Sequence, residues 1–110
     1  MKKVIVAVLV CFAFSPAVLV AGSGDATAGK AAYKQHCVSC HGADGTGNAS
    51  VAKMMKVTIP DLGSKDVQAL SDADLQKAIA QGKGKMPASK GLADADLHNL
   101  VAYIRTLARK

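Results

Sequence analysis

The segment that most restricts this chain is a pair of cysteines followed at once by a histidine. Residues 37–41 read Cys-Val-Ser-Cys-His. This spacing is the attachment pattern of c-type haem. Two thiols add across the two vinyl groups of the ring and become thioethers, and the next residue falls under the ring plane. We therefore predict that Cys37 and Cys40 hold one haem c covalently, and that His41 is the proximal iron ligand.

Three other uses of the cysteine pair fit the sequence less well. A disulfide is possible in an exported protein, but the histidine directly after the second cysteine favours haem. A thioredoxin-like redox pair needs βαβ surroundings, and the surrounding pattern is helical. A zinc site needs two further ligands at suitable spacing, and neither His36 nor His98 pairs with the motif in that way.

The N-terminal segment has the layout of a secretory signal peptide. A short basic start precedes an almost wholly apolar stretch from Val4 to Ala21, followed by small residues. We expect cleavage after Ala21, with Ser23 as the second choice. Residues 1–21 would then be removed, together with the third cysteine, and residues 22–110 would form one domain. An uncleaved anchor is the alternative, because the stretch is about long enough to span a bilayer.

The chain that remains after cleavage has few large side chains from which to form a hydrophobic core. Cleavage at that point leaves about 89 residues, near the lower limit for a self-sufficient core, and Tyr33 and Tyr103 are its only Phe, Tyr or Trp residues. A large apolar cofactor is expected to complete such a core. The charge is only mildly basic, with 12 basic against 8 acidic residues once Lys2 and Lys3 are removed. Without an Arg-rich stripe or interleaved aromatic residues, nucleic-acid binding is excluded.

The apolar periodicity predicts an all-α fold with about four short helices and long loops. No stretch shows the alternation of a strand. The expected helices run from a cap at Asp25 or Thr27 to about His36, over 48–57, from Ser71 to Gln81, and from 93 to the C-terminus. Ser71 supplies a capping oxygen. Ala93 does not, so the last helix is expected either to cap on Asp94 or to lose about 1 kcal/mol.

One methionine lies in a polar, Gly-rich loop, where a large apolar side chain is unusual unless it has a specific role. Met86 precedes Pro87 within residues 82–91, and the proline restricts it to an extended backbone. Cytochromes c pair Met with His on iron, so we predict Met86 as the distal ligand. A gap-filling role at the haem edge is the alternative. Met54 and Met55 are rivals, but they lie on a helical stretch where methionine is more often core.

Taken together, these motifs resemble the small bacterial class I c-type cytochromes over essentially the whole chain after the leader. The shared features are Gly29 and Tyr33, the 37–41 motif, Met86-Pro87 and Tyr103. The resemblance implies the cytochrome c fold, in which the first and last helices cross at the glycine and aromatic positions. It also implies that the carbonyl of Pro60 accepts a hydrogen bond from His41. The sequence departs from the pattern of that family in two places: Ala93 stands where a capping residue is usual, and the core lacks Trp. These differences bear on the subtype of cytochrome and not on its membership of the class.

The expected function is that of a periplasmic single-electron carrier, not an enzyme. With His41 and Met86 both on iron, no coordination site stays open, and the haem can cycle between its ferric and ferrous states. If the lysines at 53, 56, 83, 85 and 90 surround the haem edge, they would steer redox partners with an acidic docking face. An ordinary solvated surface is the alternative. We expect a monomer, with no stable membrane insertion once the leader is cleaved. The alternatives are an electron-entry subunit of a larger enzyme, and an enzyme such as a peroxidase with an open iron site.

Overall fold

The computed structural model describes Cys11 and residues 24–109, and these residues form six α-helices and no strand. The helices are α1 (Ala26–His36), α2 (Val38–His41), α3 (Ala49–Met55), α4 (Lys65–Gln68), α5 (Asp72–Gln81) and α6 (Asp94–Thr106). The predicted all-α class is confirmed. The predicted signal peptide, apart from Cys11, lies outside the described residues, so its cleavage stays a prediction. None of the described helices has the length and apolar character needed to cross a membrane.

The four predicted helices are present, and the prediction missed two single-turn helices. Helices α2 and α4 have four residues each, too few to show an apolar period. The end of α6 also differs from the prediction, because the helix stops at Thr106. There the chain turns away, and Arg109 donates its backbone N–H to the carbonyl of Gly63 at 2.9 Å.

The helix starts follow the capping chemistry expected from their sequences. Asp25 caps α1, accepting from the backbone N–H of Thr27 at 2.8 Å. Ser71 caps α5 through its hydroxyl oxygen. Ala93 occupies the N-cap position of α6 without a side-chain acceptor. Of the two outcomes expected for α6, the helix that lacks a side-chain cap is the one found, and capping on Asp94 is not.

Helices α1 and α6 cross at a point where only glycine fits. A Cβ built on Gly29 would lie 1.9 Å from the main-chain oxygen of Asn99. Beside the crossing, the rings of Tyr33 and Tyr103 pack with their centroids 5.1 Å apart and their planes at 58°. This arrangement confirms that Gly29 allows the two helices to approach closely.

The buried core is small and surrounds one side of a cavity. It comprises Tyr33, Leu62, Val67, Leu75, Ile79, Leu100, Val101 and Ile104. Most of these side chains come from α5, α6 and the segment that contains α4. Six of them also line the cavity, so the core would be completed by whatever fills that space.

A polar clamp holds the α4–α5 segment against α6. The Gln68 amide donates to the carbonyls of Leu62 at 2.8 Å and Ile104 at 2.9 Å. The Arg105 guanidinium donates to the carbonyls of Gln68 at 2.9 Å and Leu70 at 2.7 Å, and pairs with Asp72 at 2.6 Å. This clamp fixes the wall of the cavity that Val67 and Leu70 form.

Candidate haem site

The Cys-Val-Ser-Cys-His segment is held in a single helical turn. Cys37 ends α1 and begins α2, and its carbonyl accepts the backbone N–H of His41 at 2.9 Å. Gly42 ends the turn with φ +80°, a conformation that glycine adopts readily. The Tyr33 hydroxyl donates to the Gly42 carbonyl at 2.6 Å. Tertiary contacts therefore fix a turn that its own sequence would not stabilise.

The loop after the motif is tied back to it through the backbone. Gly47 donates its N–H to the carbonyl of His41 at 2.7 Å, and Asn48 donates to that of Cys40 at 2.8 Å. The Asn48 side chain also caps α3, accepting from the N–H groups of Ser50 and Val51. The orientation of the motif is thus fixed from both sides.

The motif faces a largely apolar cavity of about 610 Å³. Its lining residues are Tyr33, Cys37, His41, Pro60, Leu62, Asp66, Val67, Leu70, Asp74, Leu75, Lys77, Ala78, Ile79, Gly82, Lys83, Met86 and Ile104. The size suits a cofactor site. Both predicted iron ligands, one predicted attachment cysteine and the predicted loop proline therefore share one space.

His41 has a buried imidazole that favours the neutral form and has a ring nitrogen without a hydrogen-bond partner. Its Nδ1 atom is the one buried side-chain nitrogen or oxygen without a hydrogen-bond partner among the described residues. Burial lowers the pKa of the His41 imidazole, which favours the neutral form that binds metals. Pro60 lines the same cavity, but its carbonyl does not accept from Nδ1 here, so that hydrogen bond stays a prediction.

The two motif cysteines do not form a disulfide with each other. Burial, followed by the nearby Cys40, raises the pKa of Cys37 to about 11. A thiol in this state is a poor redox nucleophile at neutral pH, which disfavours a thioredoxin-like role. Cys37 lines the cavity, whereas Cys40 is half-buried next to His41 and is not among the lining residues.

Met86 is held at the cavity by a tight turn. The backbone groups of Lys83 and Met86 exchange hydrogen bonds of 3.1 and 3.0 Å. Gly82 must lack a side chain, because a Cβ there would lie 2.5 Å from the carbonyl oxygen of Met86. Of the three methionines in the described residues, Met86 alone lines the cavity. Met54 is 75 % exposed and Met55 is half-buried.

The other histidines lie away from the cavity. His36 is exposed. His98 is half-buried, and its Nδ1 lies 3.0 Å from the amide nitrogen of Gln76 on α5. Within the described residues, no group of three or more His, Cys, Asp or Glu side chains could hold a metal ion on its own. A bare zinc site is thus unsupported there, whereas His41 and Met86 suit the iron of a haem.

Sequence reasoning missed most of the cavity wall. Leu75 and Ile79 carried a signal, since they are four apart on α5 and share a face. Val67 and Leu62 carried none, because α4 is a single turn and Leu62 lies in a loop. The structural role of Gln68 could not have been predicted from the sequence, since it depends on the carbonyls of Leu62 and Ile104, which are 6 and 36 residues away.

An all-helical chain that closes an apolar cavity between a Cys-X-X-Cys-His turn and a methionine loop defines a haem-binding electron-transfer protein. The family model described as cytochrome C oxidase, cbb3-type, subunit III matches residues 24–104. The chain belongs to the c-type cytochrome family that this model represents. It accordingly carries a covalent haem c with its iron, and it transfers electrons rather than acting as an enzyme.

Individual relatives agree with this assignment. The chain is 34% identical over 91 residues to cytochrome c-554(547) of Halothiobacillus neapolitanus. The aligned region covers 77% of this chain and 99% of that protein. It is 33% identical over 87 residues to cytochrome c6 of Leptolyngbya boryana, covering 78% and 96%. Among solved structures, it is similar to the KustC0563 c-type cytochrome with a TM-score of 0.63 and 25% identity, covering 74% of this chain and 98% of that one.

Proposed function

We propose that this chain is a periplasmic carrier of single electrons, with Cys37 and Cys40 as the haem attachment points. His41 is the proximal iron ligand and Met86 the distal one. The observation that carries this proposal is the shared cavity of about 610 Å³, which has both His41 and Met86 in its lining. When bound, the haem iron supplies the chemistry, a one-electron change between ferric and ferrous.

The two ligand residues are suited to this task in different ways. The buried, unpartnered Nδ1 and the lowered pKa of His41 support a neutral imidazole at the cavity. Met86 adds a neutral thioether, which favours the ferrous state and raises the reduction potential. With both positions taken, no site is left for an exogenous ligand, which suits electron transfer.

The location and the partners follow from charge and from the leader. A cleaved signal peptide at residues 1–21 would deliver a water-soluble, monomeric protein to the periplasm. Lysines at 83, 85 and 90 lie in the methionine loop and are exposed. They would steer a redox protein with an acidic docking face, and association would weaken as salt is added.

The experiment that tests the proposal is the visible spectrum of the exported, matured protein, oxidised and then reduced. We expect haem that stays with the chain in denaturant, low-spin bands, and the weak iron–methionine charge-transfer band. A high-spin spectrum that changes on adding cyanide or carbon monoxide would indicate an open iron site and contradict the carrier role. Haem lost in denaturant would contradict the cysteine attachments.

A second candidate is an electron-entry subunit of a larger enzyme. It is favoured by the matched family description, which names an oxidase subunit. Against it, the chain spans 99% and 96% of two small single cytochromes. Size-exclusion chromatography of a native extract separates the two. The carrier elutes alone at the size of a small monomer, whereas the subunit elutes with its enzyme.

A further inference from the structure

The loop that carries Met86 is fastened to the rest of the chain at few points. It comprises residues 82–91 and directly follows α5. Two of its backbone N–H groups, at positions 82 and 89, donate to carbonyls of α5, each at 2.9 Å. These bonds hold the loop to the helix that precedes it, and they do not connect it to any other helix.

One further hydrogen bond joins this loop to a different element. The Lys85 ammonium donates to the carbonyl of Met55, the last residue of α3, at 3.0 Å. Among the described residues, this is the only hydrogen bond between residues 82–91 and any segment outside α5. Lys85 directly precedes Met86 in the chain. The bond therefore acts on the backbone next to the predicted distal ligand.

The carbonyl of Met55 is available to this ammonium because α3 ends there. The last four carbonyls of a helix have no partner in the regular helical pattern. After Met55, Lys56 takes a left-handed conformation with φ 54° and ψ 47°. The backbone N–H groups of Lys56 and Val57 turn back to carbonyls at positions 52 and 53. Neither reaches Met55, so its carbonyl is satisfied by the lysine instead.

Helix α3 is in turn fixed to the attachment motif. Asn48, its N-cap, donates its backbone N–H to the carbonyl of Cys40 at 2.8 Å. The Asn48 side-chain amide donates to the carbonyl of Ser39 at 3.3 Å. A continuous series of contacts therefore runs from the attachment motif through α3 and Lys85 to Met86. Without the lysine, this series is broken at the loop.

We propose that Lys85 is a positioning residue for the distal ligand, because its bond to α3 holds the loop where Met86 can bind the iron. The inference rests on the proposed function, in which Met86 is that ligand. Gly82, Gly84 and Gly91 have positive φ values of 79°, 59° and 80°, and glycine leaves the backbone unusually free to change conformation. A loop of this kind that is fastened to α5 alone would let the thioether leave the iron more often.

The experiment measures how readily imidazole replaces Met86 in the oxidised holoprotein. The apparent affinity for imidazole depends on the fraction of molecules in which the distal position is open. Imidazole is largely uncharged above neutral pH, so the loss of one lysine charge affects its binding little. The variants are Lys85→Ala and Lys85→Arg, which keeps a long cationic donor. Lys90→Ala is the matched control, because Lys90 is an exposed lysine of the same loop.

We expect Lys85→Ala to raise the apparent affinity for imidazole about threefold to tenfold, the size expected for the loss of one hydrogen bond. Lys85→Arg and Lys90→Ala should stay within about twofold of the unchanged protein. In Lys85→Ala the iron–methionine charge-transfer band should also disappear at a lower urea concentration, whereas the midpoint of global unfolding changes little. This difference separates positioning of the ligand from a general loss of stability.

Three results would overturn the role of Lys85. They are no rise in affinity in Lys85→Ala, an equal rise in Lys90→Ala, and a failure of Lys85→Arg to restore the affinity of the unchanged protein. A different result bears on the proposed function. If the unchanged protein lacks the iron–methionine charge-transfer band, then Met86 is not the distal ligand, and the assignment on which this inference rests fails.

Discussion

The main-chain oxygen of Asn99 occupies the space that any side chain on Gly29 would need, 1.9 Å from where its Cβ would lie. A Cβ at position 29 would also lie only 2.9 Å from the Cβ of Tyr103, which is fixed to the backbone of α6. Backbone cannot move aside as the end of a flexible side chain can. Helices α1 and α6 can therefore approach this closely only because Gly29 has a hydrogen atom where other residues have a side chain.

Gly29→Ala is expected to lower the free energy of unfolding by about 3 kcal/mol or more, because the helices must separate to relieve the clash. The gain in helix propensity, about 1 kcal/mol, is smaller than this loss. Urea unfolding of the holoprotein measures the change. Lys30→Ala, at the exposed next position on α1, is the control and should stay within about 0.5 kcal/mol. A Gly29→Ala protein as stable as its parent would show that α6 does not pack as described.

Met86→Ala is expected to remove the iron–methionine charge-transfer band and to let cyanide or carbon monoxide bind. The reduction potential should fall by on the order of 0.1 V or more, because a ligand that favours ferrous iron is lost. Visible spectroscopy and potentiometry make the measurement. Met54→Ala is the matched control, since its side chain is 75 % exposed and outside the cavity. Persistence of the band in Met86→Ala would transfer the ligand role to another residue.

Tyr33 should give the protein a specific loss of stability at high pH. Burial, the largest cause, raises the pKa of Tyr33 from 10.0 to about 12. The folded state therefore favours the protonated phenol. Its contribution is complete below pH 10 and is lost as the pH rises from 10 to 12, since the unfolded chain releases the proton first.

Tyr33→Phe separates this contribution from other alkaline effects. At neutral pH the variant should be about 1 kcal/mol less stable, because the 2.6 Å hydrogen bond to Gly42 is lost. That difference should be constant to about pH 9 and shrink above pH 10. Urea unfolding of both proteins across this range measures it. A difference that does not change up to pH 12 would contradict the raised pKa.

Ala93→Ser is expected to stabilise the protein by about 0.5–1 kcal/mol by giving α6 the cap that it lacks. The backbone at Ala93, φ −72° and ψ 161°, nearly matches that at Ser71, φ −66° and ψ 157°. At Ser71 the hydroxyl oxygen accepts from the N–H of Asp74 at 3.1 Å. Ser71→Ala is the reciprocal control and should lose a similar amount. Thermal unfolding of both variants would refute the cap argument if both shifts had the same sign.

The sequence predicted those parts of the molecule whose signal is local. The caps at Asp25 and Ser71, the period of α6 and the 37–41 motif each depend on residues within a few positions. Helices α2 and α4 were missed because one turn contains no period. The turn of α2 is held by the Tyr33 hydroxyl, and α4 is held by the contacts of Gln68 with Ile104 and Arg105 on α6. Which methionine reaches the cavity was predictable, since Met86 alone stands in a polar loop. That Met54 stays exposed was not predictable, because helical methionines are more often buried.

The pairing of α1 with α6 also governs when the chain can fold. Asp25 donates its backbone N–H to the side chain of Asn99, 74 positions later, at 2.8 Å, and α6 supplies Leu100, Val101 and Ile104 to the core. The native core therefore cannot close until the last helix has been synthesised. Such long-range closure slows folding. A chain built in this way stays open during translation, so haem can reach the two thiols before the cavity forms.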